Sequence, residues 1–329
     1  MPTALSSKLG LDTPLQDCVL AAGVDFAVAT NYRPALDAVR ASFPPSEAGL
    51  PRPKLRLRFW VDQRARGDSD WANPFLRGLG HLVVAEFDDE NSLLIDLRGV
   101  RALGRFSPGP ATDRVFWQRM IFPLLLGVAG ATVGVTALQC ACVVRQGRGL
   151  LLAGESGTGK STLALALVRR GLAFVSDEWV YLSRSDGRLL AWGLPTPLEL
   201  LPGTVAFFPE LAAMEPAEAL NGELAFEVDP GQVFGVRRAH HCEPHWLVLL
   251  DHRPENGHAF EVVSPEEVAA HLEKDLLPEE PSAMRAQRDA IGMLVAGQCA
   301  RFRYGGNPQA AAEALERYCE LRSTLPAGW

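Results

Sequence analysis

The chain has 329 residues, of which 47% are hydrophobic and 22% charged, and its formal net charge is -7. This is the composition of an ordinary globular chain, long enough for two domains of roughly 100–200 residues each. The acidic balance leaves no general basic field, which excludes nucleic-acid binding driven by broad phosphate neutralisation.

The first residues, Met1-Pro2-Thr3-Ala4-Leu5-Ser6-Ser7-Lys8, lack a charged leader followed by an apolar run, so no secretory signal is expected. Residues 1–110 read as a small mixed α/β domain. Phe26-Ala27-Val28-Ala29 is a strand signal, and Pro34 followed by Leu36, Val39 and Phe43 at helical spacing predicts an amphipathic helix ended by Pro44-Pro45. Strands are expected over 55–61, 81–87 and 92–97, the last two joined by an Asp-Asp-Glu-Asn turn. Arg52, Lys54, Arg56, Arg58, Arg64 and Arg66 make this region locally basic, either as a solvated strand face or as a dock for an acidic partner. Ser107-Pro108-Gly109-Pro110 reads as a linker, with a second domain over 111–329.

Residues 115–135 are the most apolar stretch, but Gln118, Arg119, Pro123 and several glycines interrupt them. They read as buried helix plus turn rather than a membrane span, so no membrane partner is expected and a cytoplasmic protein follows. Six cysteines, at 18, 140, 142, 242, 299 and 319, lie without a C-x-x-C pair and read as reduced thiols. His240, His241, Cys242 and His245 carry metal-ligand chemistry without a recognisable ligand spacing.

The strongest motif begins at residue 150. Leu150-Leu151-Leu152-Ala153 reads as a buried strand, Gly154-Glu155-Ser156-Gly157-Thr158-Gly159-Lys160-Ser161 as a P-loop, and Thr162 onward as an apolar-periodic helix. A strand over 138–144 and the Gln146-Gly147-Arg148-Gly149 turn precede it as a hairpin. Each part has a chemical reason. The glycines let successive backbone N–H groups turn inward around phosphate oxygens, and the helix N-terminus aims its dipole there. Lys160 supplies a point charge for the β/γ-phosphates of ATP, and the Ser161 hydroxyl suits the oxygen shell of Mg²⁺.

Downstream, the helix stops at Gly171, and Leu172-Ala173-Phe174-Val175-Ser176 delivers Asp177-Glu178 at its carboxyl end. Adjacent carboxylates there divide two tasks, one activating an attacking hydroxyl and the other holding Mg²⁺. Asp251, after the apolar run Trp246-Leu247-Val248-Leu249-Leu250, competes for the metal role. A hairpin is expected around Ser185-Asp186-Gly187-Arg188, loop with a short helix over 195–227, and helices near 265–277, 283–297 and 308–321. Arg237, Arg238, Arg301 and Arg303 are available as charge stabilisers.

The P-loop, the helix to Arg169-Arg170-Gly171 and Phe174-Val175-Ser176-Asp177-Glu178 resemble the core of HPr kinase/phosphorylase and the HprK-related kinases. The resemblance implies a nucleotide domain like that of phosphoenolpyruvate carboxykinase, ATP and Mg²⁺ as cofactors, and a homo-oligomer. It places Asp177 where the family's catalytic aspartate activates the acceptor hydroxyl, and Glu178 at the second acid near the metal. Thr162 stands where relatives usually carry Glu, Glu178 where they carry Asp, and Gln139 where they generally carry His. Leu198-Glu199-Leu200 is a faint echo of the signature that follows the acidic pair. These departures imply transfer to serine of a protein or peptide other than HPr, a small-molecule kinase, or a nucleotide-binding regulator.

Overall fold

The computed structural model describes residues 12–47, 54–65, 73–219, 222–253, 255, 257–276 and 281–323. Two compact units divide between Thr136 and Ala137.

The first unit contains β1 (Leu15–Ala21), β2 (Val24–Thr30), α1 (Arg33–Ser42), β3 (Lys54–Val61), β4 (Phe75–Leu79), β5 (Leu82–Glu86), β6 (Ser92–Asp96) and β7 (Arg101–Phe106). Its seven-stranded sheet runs β1-β2-β3-β7-β6-β5-β4. The β2–β3 and β3–β7 pairs are parallel, and the flanking hairpins antiparallel. Strict alternation in β3 explains why it was legible: Leu55, Leu57 and Phe59 are buried, while Lys54, Arg56 and Arg58 are exposed. β1 was missed because Gln16-Asp17 breaks its apolar run. Arg52 and Arg66 of the basic group lie outside the described residues.

The unit closes 26 residues later than the Ser107-Pro108-Gly109-Pro110 signal suggests. Ser107 is buried, with both its N–H and its hydroxyl donating to Asn91 Oδ1 (2.8 and 3.2 Å), so this stretch is a fixed turn rather than a linker. It leads into a short helix (Pro108–Thr112) and a helical run α2 (Arg114–Val133) containing one π turn. Trp117 packs on Phe59 and Phe106 at centroid distances of 4.8 and 5.7 Å, and Phe122 on Phe26 and Phe43 at 4.6 and 4.0 Å. Removing these rings from water is why α2 belongs to the first unit. By length and composition alone α2 is long and apolar enough to cross a membrane.

The second unit is built on β8 (Val135–Arg145), β9 (Arg148–Ala153), α3 (Lys160–Arg169), β10 (Ala173–Ser176), β11 (Trp179–Ser185) and β12 (Arg188–Trp192). There follow β13 (Leu198–Leu200), β14 (Ala217–Glu218), β15 (Leu224–Val228), β16 (His241–His252), β17 (Gly257–Glu261), α4 (Pro265–Leu272), α5 (Pro281–Val295), β18 (Gln298–Gly305) and α6 (Pro308–Ser323). β9 lies between β8, antiparallel, and β16, parallel; β18 continues parallel beyond β16, and β10 pairs antiparallel with β8. Hence β10, β9, β16 and β18 point the same way and open their carboxyl ends at one edge of the eight-stranded sheet. Alternation sorts the core: Leu150, Leu152, Val248 and Leu250 face α3 and α6, while Leu151, Ala153, Leu247 and Leu249 face α4 and α5. The architecture is mixed α/β, as the alternating elements predict.

Two parts of this unit differ from expectation. Residues 195–227 are not plain loop: β13, β15 and β14 form a three-stranded antiparallel sheet with two 3-10 turns between them. β18 was also unread, because Arg301 and Arg303 interrupt a run whose alternate residues Ala300, Phe302 and Tyr304 are buried.

Candidate active site

β9 is buried through Ala153, after which the chain turns over the sheet edge and restarts as α3 at Lys160. Gly157 and Gly159 hold φ of 80° and 82°, the left-handed region that side chains disfavour. The Thr158 N–H and hydroxyl both donate to the Glu155 carbonyl (3.3 and 2.8 Å), and the buried Tyr304 hydroxyl donates to the Thr158 carbonyl at 2.5 Å. A methyl group on Gly159 would lie 2.6 Å from Tyr304 Oη. Gly159→Ala is therefore expected to displace the tyrosine and the loop together, lowering nucleotide affinity at least tenfold in a titration, with a melting-temperature loss of only a few degrees.

Ser156, Gly157, Gly159, Lys160, Ser161 and Thr162 line one side of a cleft of ≈ 440 Å³. Gly154 and Glu155 contribute their carbonyls, to which Lys160 Nζ donates at 2.7 and 3.1 Å. The Glu155 carboxylate points instead to Lys274 at 3.1 Å, with His271 Nδ1 at 3.9 Å. Burial holds Lys160 below the usual lysine range, against the pull of neighbouring carboxylates.

The opposite side is formed by the end of β10 and by the small sheet. Asp177 and Glu178 line the cleft together with Glu199, Leu200, Leu201, Thr204, Phe207, Glu223 and Ala225. Asp177 is only 4% exposed, and its Oδ2 accepts the Glu199 backbone N–H at 2.9 Å. Burial first, and then the nearby Glu178 and Glu199 charges, push its carboxyl up to about 7, although the Glu199 N–H pulls the other way. The structure thus brings the glycine loop, Lys160, Ser161 and the acidic pair to a single cleft.

Asp251 is not among the residues lining that cleft; it accepts from Arg253 at 2.7 Å and Arg303 at 3.2 Å. Burial works against its charge, but the two guanidiniums outweigh it and the group sits below the usual carboxylate range. The four arginines are likewise absent from the lining: Arg238 donates to the Thr196 carbonyl, Arg301 to Glu267, and Arg303 to Glu261 and Asp251. Gln139, within β8, does line the cleft, and its backbone N–H donates to Asp275 Oδ2 at 3.3 Å. Asp275, Lys274, His271 and Tyr304 were missed by sequence reasoning, since no local motif marks residues recruited from more than a hundred positions away.

Among the described residues no group of three or more His, Cys, Asp or Glu side chains could alone hold a metal. The His241 ring stacks on Trp192 at 4.4 Å and Cys242 Sγ lies 3.5 Å from Cys142 Sγ, so packing accounts for that cluster. Mg²⁺ asks for less, one or two oxygen side chains completed by phosphate and water, and the Ser161 hydroxyl with the Glu178 carboxylate meets that requirement in the cleft. The open space beside Gly157, where an added methyl would meet nothing, suits a phosphate chain.

Residues 134–198 match the family model of the HPr Serine kinase C-terminal domain. The HPr kinase/phosphorylase of Clostridium botulinum (strain Eklund 17B / Type B) is 38% identical over 72 residues, 22% of this chain and 24% of that protein. The P-loop core is HprK-related. The HPr kinase/phosphorylase of Bacillus cereus (strain B4264) matches the HprK-related core at the same 38% over 72 residues, 22% of this chain and 23% of its own length. This chain thus spans about a quarter of the length of these curated relatives. The solved Hpr(Ser) kinase/phosphatase of Coxiella burnetii aligns over 57% of this chain and 98% of its own, at 16% identity and a TM-score of 0.30.

Proposed function

We propose that this protein is an HprK-like kinase that transfers the γ-phosphoryl group of ATP to a hydroxyl, that of serine in a protein or peptide. The observation that carries the reading is Asp177, buried with a carboxyl pushed up to about 7, in the same cleft as Lys160 and the glycine loop. A general base works best when its pKa lies near the working pH, and strongly shifted carboxyls concentrate in functional clefts.

In this reading the loop amides between Glu155 and Ser161 bind the β- and γ-phosphates, and Lys160 exchanges the loop carbonyls for phosphate oxygens. Ser161 and Glu178 would hold Mg²⁺, which would neutralise charge on the phosphate oxygens. Asp177 takes the hydroxyl proton as the acceptor oxygen bonds to phosphorus and the bond to ADP breaks. The Glu199 backbone N–H fixes which carboxylate oxygen is left for that proton. Thr162 and Gln139, which replace family residues, line the cleft without supplying a charge. The reading includes a cytoplasmic setting, a polypeptide partner and self-association, with no role for nucleic acid or membrane.

The reading is tested by ADP formation from ATP and Mg²⁺ in the presence of the protein fraction or the small-molecule fraction of an extract. Turnover stimulated by the protein fraction supports it. Stimulation by the small-molecule fraction alone would move the assignment to a metabolite kinase, and nucleotide binding without stimulation by either to a regulator.

Asp177 also carries a stability signature. Its folded pKa of about 7 lies above the ordinary aspartate value of 3.8, so between those values the folded chain binds more protons than the unfolded one. Its contribution therefore falls as pH rises through that window and stays low above it. Asp177→Asn is expected to melt higher than the parent chain at about pH 8, by on the order of 2–4 kcal/mol, and to show little gain near pH ~4. Thermal melts across pH check this.

A further inference from the structure

The sheet of the first unit has two unlike faces. Phe26, Leu57, Phe59, Ala102 and Phe106 are buried on the side packed by α1 and α2. On the other side, strand register lays out three rows. Ala27, Arg56, Arg101 and Asp96 stand side by side; next come Ala29, Arg58, Leu103, Leu94 and Val84; then Trp60, Arg105, Ser92 and Glu86. Arg56, Arg58, Arg101 and Arg105 are all exposed, while Trp60, Leu103, Leu94 and Val84 are half-buried.

Two of the four guanidiniums have local partners: Arg101 meets Asp96 at 3.0 Å, and Arg105 meets Asp62 at 3.3 Å. Among the described residues Arg56 and Arg58 have no acidic partner. Parallel β3 and β7 place Arg56 beside Arg101, whose charge Asp96 compensates, and Arg58 beside Leu103. Both guanidiniums stand on the solvated face of an alternating strand, which leaves them open to a carboxylate from outside the chain.

We infer that the exposed Arg56 and Arg58 of this sheet face dock an acidic, extended segment of the polypeptide acceptor, an inference that rests on the polypeptide reading under Proposed function. Arginine binds carboxylate through two parallel hydrogen bonds, and Arg56 and Arg58, two residues apart on one strand, match carboxylates on alternate residues of an extended peptide. A nucleic acid fits less well. Asp96, Asp62 and Glu86 interleave with or rim the cations, so a chain with a phosphate at every nucleotide would meet them, whereas a peptide can place its carboxylates opposite Arg56 and Arg58 alone.

The test uses the full chain and a fluorescein-labelled peptide of Glu-Ser-Glu-Leu repeats, read by anisotropy at low and moderate salt. A Lys-Ser-Lys-Leu peptide and a single-stranded DNA oligonucleotide serve as comparisons. The acidic peptide is expected to bind best, to weaken with salt, and to lose at least tenfold in affinity in the double variant Arg56→Glu/Arg58→Glu, with ATP affinity unchanged. Arg56→Gln/Arg58→Gln, which leaves the surface neutral, should lose less and guards against misfolding of the reversed variant. Equal binding of the acidic and basic peptides, indifference to both variants, or tighter binding of the DNA would overturn the inference. ADP formation measured alongside separates the two claims: absent turnover with peptide binding intact counts against the kinase reading, not against this surface.

Discussion

Asp177→Asn is expected to lower phosphoryl transfer by about 10²–10⁴-fold and to leave the dissociation constant for ATP within about twofold. The asymmetry follows from the geometry. The asparagine oxygen still accepts the Glu199 N–H, and β10 still ends beside the cleft, so nothing that touches the phosphates changes. What is lost is the capacity to take a proton. Because the carboxyl lies at about 7, transfer by the parent chain should rise as pH increases toward and through neutrality, since only the deprotonated form acts as base. The variant's residual activity should lack that limb. A single-turnover assay with pH as the variable reads both effects, and a variant whose profile and rate match the parent would remove Asp177 from the chemistry.

Lys160→Ala is expected to cost nucleotide affinity at least about thirtyfold, the equivalent of ~2 kcal/mol for one charge-assisted contact. The ammonium lies across the loop, donating to Gly154 and Glu155, and an incoming phosphate competes for those same protons. Its partial desolvation makes the charge more effective than that of a surface lysine. Lys160→Arg is not expected to rescue, because a planar fork does not fit where a compact ammonium meets two converging carbonyls. Titration of labelled nucleotide against both variants checks the point. Since Lys160 holds a carbonyl pair rather than a buried acid, neither variant should lower the melting temperature by more than a few degrees.

These predictions draw on residues whose legibility in the sequence differed for physical reasons. The P-loop was readable because phosphate binding imposes its residue types on consecutive positions, Gly157, Gly159, Lys160 and Ser161, and because the flanking strand and helix each have a clean period. Asp177 and Glu178 were readable by their place at a strand end. That β10 pairs with β8 and not directly with β9 was not readable, yet the antiparallel β8 between them leaves both carboxyl ends at the same edge. Of the wall made by Glu199, Thr204, Phe207 and Ala225 only Glu199 had a signal, the Leu198-Glu199-Leu200 echo, because strands of two to five residues in a stretch rich in Pro, Glu and Ala carry little periodicity. The division of the two compact units after Thr136 was hidden for another reason. Ser107-Pro108-Gly109-Pro110 is a valid turn signal, but a turn does not say on which side the next helix packs, and Phe116, Trp117 and Phe122 decide that. Asp251 imitated a metal ligand since an apolar strand ending in Asp looks the same whether its partner is Mg²⁺ or Arg253 and Arg303.

The central claim is that a carboxylate in the glycine-loop cleft activates a hydroxyl for phosphoryl transfer to a polypeptide. It is met most directly by incubating the full chain and its Asp177→Asn variant with γ-labelled ATP, Mg²⁺ and a protein extract, then locating the label. The account predicts label on serine of a polypeptide with the parent chain and a loss of at least about a hundredfold with the variant, at equal nucleotide occupancy. Equal labelling by the two chains, or saturating nucleotide binding with no labelled hydroxyl in any fraction, would contradict it.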